Sequence, residues 1–270
     1  MDWFEVRQLN DHLYVIRERL DLIEPRYRTI YTNMYVVLGD TLAALIDTGS
    51  GLYPLRPIVE SIIGDRELLV FNTHNHFDHV GGNFEFDEIH IHKLDYKKIS
   101  KPIDVSFLAG SLKGEEFKKR NYKIPVASKV NPLVGGEIFD LGGLTLTVFH
   151  ADGHTPGSIV LYTSEGEIFT GDTVHFGAFY YPEGVYIEDY NEMLQELFDE
   201  VEGFMEKGRL YPGHEEYDLA LEVIQELIFE LGVLNPEFSE TEYDEYLDAY
   251  VIPKTNFTMV LPSALNSTQG

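Results

Sequence analysis

The chain of 270 residues has no cysteine. Disulfides are therefore excluded, and any metal site must be built from His, Asp or Glu. Positive charge is scarce: 20 Lys and Arg stand against 46 Asp and Glu, a formal net charge of -26. Nucleic acid and anionic membranes repel such a surface, so neither is expected as a partner. No apolar run reaches the roughly 18 residues of a membrane span, and the N-terminus lacks the basic start and apolar stretch of a secretion signal. A cytoplasmic protein is the expectation. Fixed-period repeats, low-complexity tracts and interdomain linkers are also missing. What is present is a globular composition, 44% hydrophobic and 13% aromatic, over a length ample for a large core.

Short apolar runs bounded by turn residues predict strands at Leu13–Arg17, Met34–Leu38 and Leu42–Asp47, with Gly39-Asp40 as a hairpin turn. Further strands are predicted at Leu68–Phe71, Glu88–His92, Ser158–Tyr162 and Glu167–Thr170, and a strand pair across Glu137–Phe149 around Gly142-Gly143. Leu55, Ile58, Val59, Ile62 and Ile63 have helical spacing closed by Gly64. Two longer amphipathic helices are predicted over Asn191–Lys207 and Glu215–Leu231. Strands with interspersed helices favour a layered α/β arrangement. One domain over residues 1–270 is expected, with a Lys-rich insertion at about 93–131 and an acidic, Tyr-rich extension at about 232–270. The extension is read as a short helix over the core or a dimer contact, with strand character at Thr255–Leu261.

The segment Thr73-His74-Asn75-His76-Phe77-Asp78-His79 directly follows an apolar strand. In extended backbone His74 and His76 project to the same side and can share one metal. As the chain turns after Phe77, Asp78 and His79 can address a second position. Three imidazoles and a carboxylate so close together are costly to bury unless something coordinates them. Four more motifs accompany this HxHxDH pattern in order: Asp47-Thr48-Gly49 at a strand end, Gly153-His154-Thr155-Pro156-Gly157-Ser158, Gly171-Asp172-Thr173, and Pro212-Gly213-His214. On these five motifs the chain resembles, over roughly residues 10–230, the metallo-β-lactamase-fold metallohydrolases, including glyoxalase II-like and lactonase-like members.

The resemblance implies an α/β fold, a four-layer αββα sandwich. It implies two divalent metal ions: His74, His76 and His154 would hold the first, Asp78, His79 and His214 the second, and Asp172 would bridge them. Zinc is the expected metal, with iron or manganese as alternatives for a nitrogen and oxygen donor set. Asp47 is expected behind the ligands, accepting hydrogen bonds from them or from loop amides. The implied chemistry is attack by a metal-bridging hydroxide on a small ester, thioester, lactone or phosphoester. Asp78 would orient the nucleophile or carry its proton, and His175 would donate a proton to the leaving group. A mononuclear iron oxygenase like the persulfide dioxygenases is the alternative, and a metal-binding module without turnover a third class. Tyr180 and Tyr181 are candidate pocket residues. His150 is read as structural, His90 and His92 as the wet face of a strand, and His12 carries no signal.

Two departures narrow the substrate. Class B β-lactamases of the common type hold the second metal with a Cys, which this chain lacks. Glyoxalase II-like thioesterases bind glutathione with basic residues, several from a C-terminal helical region. Here only one Lys or Arg, Lys254, follows Arg209, against a dozen acids. The insertion is the exception to the acidity: Lys93–Lys129 holds ten of the twenty basic residues and carries +6. It is expected either to contact an anionic group of a small-molecule substrate or to serve as a solvated surface or homodimer contact.

Overall fold

The computed structural model describes residues 3–234 and 242–263. Strands β1 (Glu5–Gln8), β2 (Leu13–Arg19), β3 (Tyr31–Leu38), β4 (Leu42–Ile46), β5 (Glu67–Phe71) and β6 (Glu88–His92) form the first sheet. A two-stranded ribbon, β7 (Ile103–Asp104) with β8 (Lys123–Ile124), lies in the insertion, and β9 (Lys129–Leu133) completes the sheet beside β6. The second sheet contains β10 (Ile138–Asp140), β11 (Thr145–His150), β12 (Ile159–Thr163) and β13 (Glu167–Gly171). Between them, Gly142 and Gly143 both take φ of 81°, a left-handed turn that favours glycine. After β14 (Gly177–Tyr180) come β15 (Arg209–Pro212) and β16 (Leu219–Ala220), which close the second sheet, with β15 parallel to β13.

The sheets face each other across an apolar layer. Alternate residues Leu13, Val15, Tyr35, Val37, Ala44 and Ile46 of the first meet Leu146, Val148, Ile159, Leu161 and Phe169 of the second. The opposite face of the first sheet buries Ile16, Val36 and Leu45 under α1 (Arg56–Ile63), through Val59 and Ile63. Short helices α2 (Phe77–Val80), α3 (Tyr96–Ile99) and α4 (Gly114–Lys118) follow. The outer face of the second sheet is covered by α5 (Ile187–Val201) and α6 (Glu222–Gly232). This is the expected αββα sandwich. No helix of the described residues is long and apolar enough to cross a membrane.

Both sheets carry a parallel pair, β4 with β5 and β13 with β15. Their carboxyl ends open at the same edge of the sandwich, where α/β sheets place ligand sites. The two edges are stitched together there. The Tyr35 hydroxyl donates to the Pro212 carbonyl at 2.7 Å, and the Asn33 backbone N–H donates to the Gly213 carbonyl at 2.7 Å.

The structure corrects several expectations. The second late helix begins at Glu222, not Glu215, because Glu215 and Asp218 have left-handed φ of 54° and 64° and Leu219 and Ala220 pair with β15. The first runs Ile187–Val201, starting earlier with Glu188 and Asp189 at its positive end, and its last predicted turn tightens to a 3-10 turn at Glu202–Phe204. His92 is buried, not wet, with its ring stacked 3.9 Å from that of His150. His90 is half-buried against Phe71. The tail forms no helix among its described residues. Its strands β17 (Glu242–Asp244), β18 (Ala249–Pro253) and β19 (Phe257–Pro262) form a meander whose last strand pairs in parallel with β14, so strand character at Thr255–Leu261 holds.

Phe169 is fully buried, 5.2 Å from the Tyr35 ring and 5.7 Å from that of Tyr211. Phe169→Ala is expected to cost about 3–5 kcal/mol of unfolding free energy in urea titrations, and Phe169→Leu far less.

Candidate metal centre

Four loops at the shared edge deliver the predicted ligands. The turn after β5 carries His74 and His76, and α2 carries Asp78 and His79. The loop after β11 carries His154, the end of β13 leads into Asp172, and the end of β15 into His214. Two donor groups result: His74, His76, His154 and Asp172, and Asp78, His79 and His214, with the ligand atoms of each within 4.8 Å of one another. All seven predicted residues are thus brought together.

The spacings suit shared cations. Donors at roughly 2.0–2.2 Å from a common tetrahedral ion lie about 3.3 Å apart. Here His154 Nε2 is 3.0 Å from His76 Nδ1, and His79 Nε2 is 3.3 Å from His214 Nε2. Asp172 touches both groups. Its Oδ2 lies 3.4 Å from His154 Nε2 and 3.2 Å from His214 Nε2, while Oδ1 lies 3.1 Å from His79 Nε2. His74 Nε2 is buried without a hydrogen-bond partner in the protein. An orphaned donor atom facing inward is what a coordinated metal would satisfy.

The outer nitrogens are held from behind. His79 Nδ1 donates to Asp47 Oδ2 at 2.7 Å, and His214 Nδ1 to the Tyr31 carbonyl at 2.9 Å. His74 Nδ1 is 3.1 Å from Thr73 Oγ1. These bonds turn each Nε2 toward the centre. Asp47 also accepts from the Thr73 amide and hydroxyl, both at 2.8 Å, so one carboxylate fixes two ligand-bearing segments. Its φ of 62° is the strained backbone that aims it there. Gly213 permits the approach of the last loop: a Cβ there would sit 2.7 Å from the His79 ring and 2.9 Å from Asp172 Oδ1.

Electrostatics divide the imidazoles. Burial pushes His74, His76 and His154 below the ordinary value, His154 to about 3, so they are neutral donors. Burial also opposes charge on His79 and His214, but Asp172 and its neighbours outweigh it and hold His79 well above the ordinary value and His214 at about 9. Coordination requires neutral imidazole, so a metal binding there releases protons. Burial raises Asp172, yet the surrounding histidines keep it well below the usual carboxylate range.

A cavity of about 390 Å³ opens beside the centre, lined by His76, Asp78, His154, Asp172 and His214 together with Leu20, Tyr27, Thr29, Asn75, Phe77, Ile103, Phe107 and Tyr180. His175 does not line it. The ring is buried 5.4 Å from that of His214, its Nδ1 donates to the Phe176 carbonyl at 2.7 Å, and burial pushes it down to about 4. Tyr180 faces the cavity, whereas Tyr181 packs on Tyr190 under the second sheet. His12 pairs with Glu167 at 2.8 Å and His150 with the Pro156 carbonyl at 3.0 Å, both away from the centre.

Four of the insertion's ten cations pair with carboxylates on the surface, Lys118 with Glu115 at 3.0 Å, Lys119 with Glu116 at 2.5 Å, Lys129 with Glu88 at 2.9 Å, and Lys123 with Asp104, while the Arg120 guanidinium donates to the Gly51 carbonyl at 2.7 Å. What the insertion brings to the cavity is Ile103 and Phe107. The sequence also does not announce Asp95, whose Oδ2 accepts from Thr155 at 2.7 Å and anchors the His154 turn, or the Tyr31 carbonyl, which has no side-chain signature.

The model of the metallo-β-lactamase superfamily matches residues 27–215, and the chain belongs to that superfamily. Human acyl-coenzyme A thioesterase MBLAC2 is 30% identical over 236 residues, covering 79% of this chain and 82% of the relative. A hydroxyacylglutathione hydrolase from Pelagibacter ubique is 28% identical over 191 residues, covering 68% and 66%. Among solved structures, a metallo-β-lactamase from Pontibacter korlensis superposes with a TM-score of 0.60 at 16% identity, over 86% of this chain and all of that one, a likeness of fold.

Asp47→Asn replaces an acceptor of three hydrogen bonds with a group that accepts at only one atom. Zinc affinity measured by competition with a chromophoric chelator is expected to fall roughly 10–100-fold, with the fold retained by circular dichroism.

Proposed function

We propose that the chain is a dinuclear metal-dependent hydrolase of acyl thioesters. The observation that carries this reading is the pair of donor groups sharing Asp172 at the mouth of a cavity whose other walls are largely apolar. Bound there, two divalent cations, zinc by preference, would supply a water of lowered pKa and an electrophile for the thioester carbonyl.

The chain's own residues do the rest. Asp78, in contact with the second group and the cavity, orients the attacking water and accepts its proton. The bond broken is acyl C–S, and water supplies the carboxylate oxygen. A thiol of ordinary pKa near 8.5 leaves as thiolate without a proton donor. That removes the need for His175 as an acid, a role its committed Nδ1–H and depressed pKa oppose. His175 instead packs against His214 and steadies it. Phe77, Tyr27 and Phe107 keep bulk water from the acyl side.

The relationship to acyl-coenzyme A thioesterases over most of both chains supports the thioester. A complete second donor group supports the dinuclear reading over a mononuclear iron oxygenase.

Zinc-loaded enzyme is expected to hydrolyse acyl-coenzyme A thioesters, to lose activity on chelation and to regain it on reloading. Asp78→Asn should lower kcat by roughly 100-fold or more. Turnover unaffected by metal removal, or oxygen consumption in its place, contradicts the reading.

A further inference from the structure

The cavity's long wall has a composition that thioester hydrolysis alone does not require. Leu20, Tyr27, Phe77, Ile103, Phe107 and Tyr180 surround it, and neither Lys nor Arg is among its lining residues. The Tyr27 and Phe77 rings lie 6.4 Å apart and those of Phe77 and Phe107 5.6 Å apart, a run of three aromatic rings in the cavity lining. A charged group in this channel would be desolvated without a partner. An aliphatic chain would be stabilised along its length.

This run is braced. The Tyr180 hydroxyl donates to the Tyr27 carbonyl, and β14, which carries Tyr180, is clamped by β19 of the C-terminal meander. Arg28, next to Tyr27, pairs with Glu242 at 2.5 Å and Asp244 at 2.9 Å of the same meander. On the other side, Val105 and Leu108 are fully buried with Leu20, Ile23 and Phe117, which fixes Phe107 between them. Phe107 is nonetheless 49% exposed, so one face looks into the channel and the other into solvent. Phe107 thus stands where the cavity lining meets solvent.

Building on the thioesterase reading, we propose that the insertion is a chain-length selector: Ile103 and Phe107 form the far wall of a site for the aliphatic chain of the acyl group. Each methylene gains affinity until the chain reaches Phe107, and further methylenes pass into solvent and gain little.

The test uses S-alkyl coenzyme A thioethers, which cannot be hydrolysed, titrated calorimetrically into zinc-loaded protein with ethyl, hexyl and decyl chains. Buried methylenes contribute up to about fourfold each, so hexyl should bind at least tenfold tighter than ethyl. Phe107→Ala should shrink the decyl-to-ethyl ratio at least fivefold. Ile103→Phe, which narrows the channel without opening a cavity, should do the same. Affinity independent of chain length, or the wild-type ratio in both variants, overturns the proposal. Chain-length-dependent binding lost in the variants, with the matching thioesters left unhydrolysed, upholds the selector and overturns the thioesterase reading alone.

Discussion

The carboxylate of Asp172 lies within 3.7 Å of nitrogens from four imidazoles, and the architecture around it is organised to make that convergence tolerable. Isolated in an apolar interior, such a group would be strongly unfavourable. It persists because every histidine arrives on a rigid edge. Two parallel strand pairs end at one place, Asn33 and Tyr35 of one sheet grip the Pro212-Gly213 turn of the other, and Asp47 binds both Thr73 and His79. The core between the sheets is thus the scaffold that sets the ligand spacing.

Much of this is legible in the sequence. Period-two alternation marks the strands of the inter-sheet layer, and the five motifs name every residue that converges at the centre. Asp47 is anticipated behind the ligands through the family resemblance, whose strand-ending Asp-Thr-Gly motif it opens. Its partner Thr73 and the Tyr31 carbonyl are not anticipated, since their roles come from backbone proximity across more than twenty residues. The start of α6 is missed for a similar reason: apolar spacing continues through Leu219, but Glu215 and Asp218 take left-handed φ and Leu219 and Ala220 pair with β15 before the helix begins. His92 misleads because alternation with Ile89 and Ile91 looks half-wet, whereas stacking on His150 buries it.

Charge and apolar packing both shape the insertion. It carries +6, and four of its ten cations, Lys118, Lys119, Lys123 and Lys129, find carboxylates at the surface. The residues that reach the cavity are Ile103 and Phe107, placed there by a small apolar core of Val105, Leu108 and Phe117. A residue counted as part of a basic stretch says little about which way that stretch faces. The acidic tail behaves alike: its Glu242 and Asp244 are partners for Arg28 and brace the loop holding Tyr27.

The most direct measurement is metal stoichiometry by inductively coupled plasma mass spectrometry on protein stripped, reloaded with zinc and freed of excess ion. Two ions per chain are predicted for the wild type, falling to one in both His154→Ala and His214→Ala, since each variant breaks a different donor group. One ion per chain in the wild type, or two in both variants, would contradict a dinuclear centre shared through Asp172.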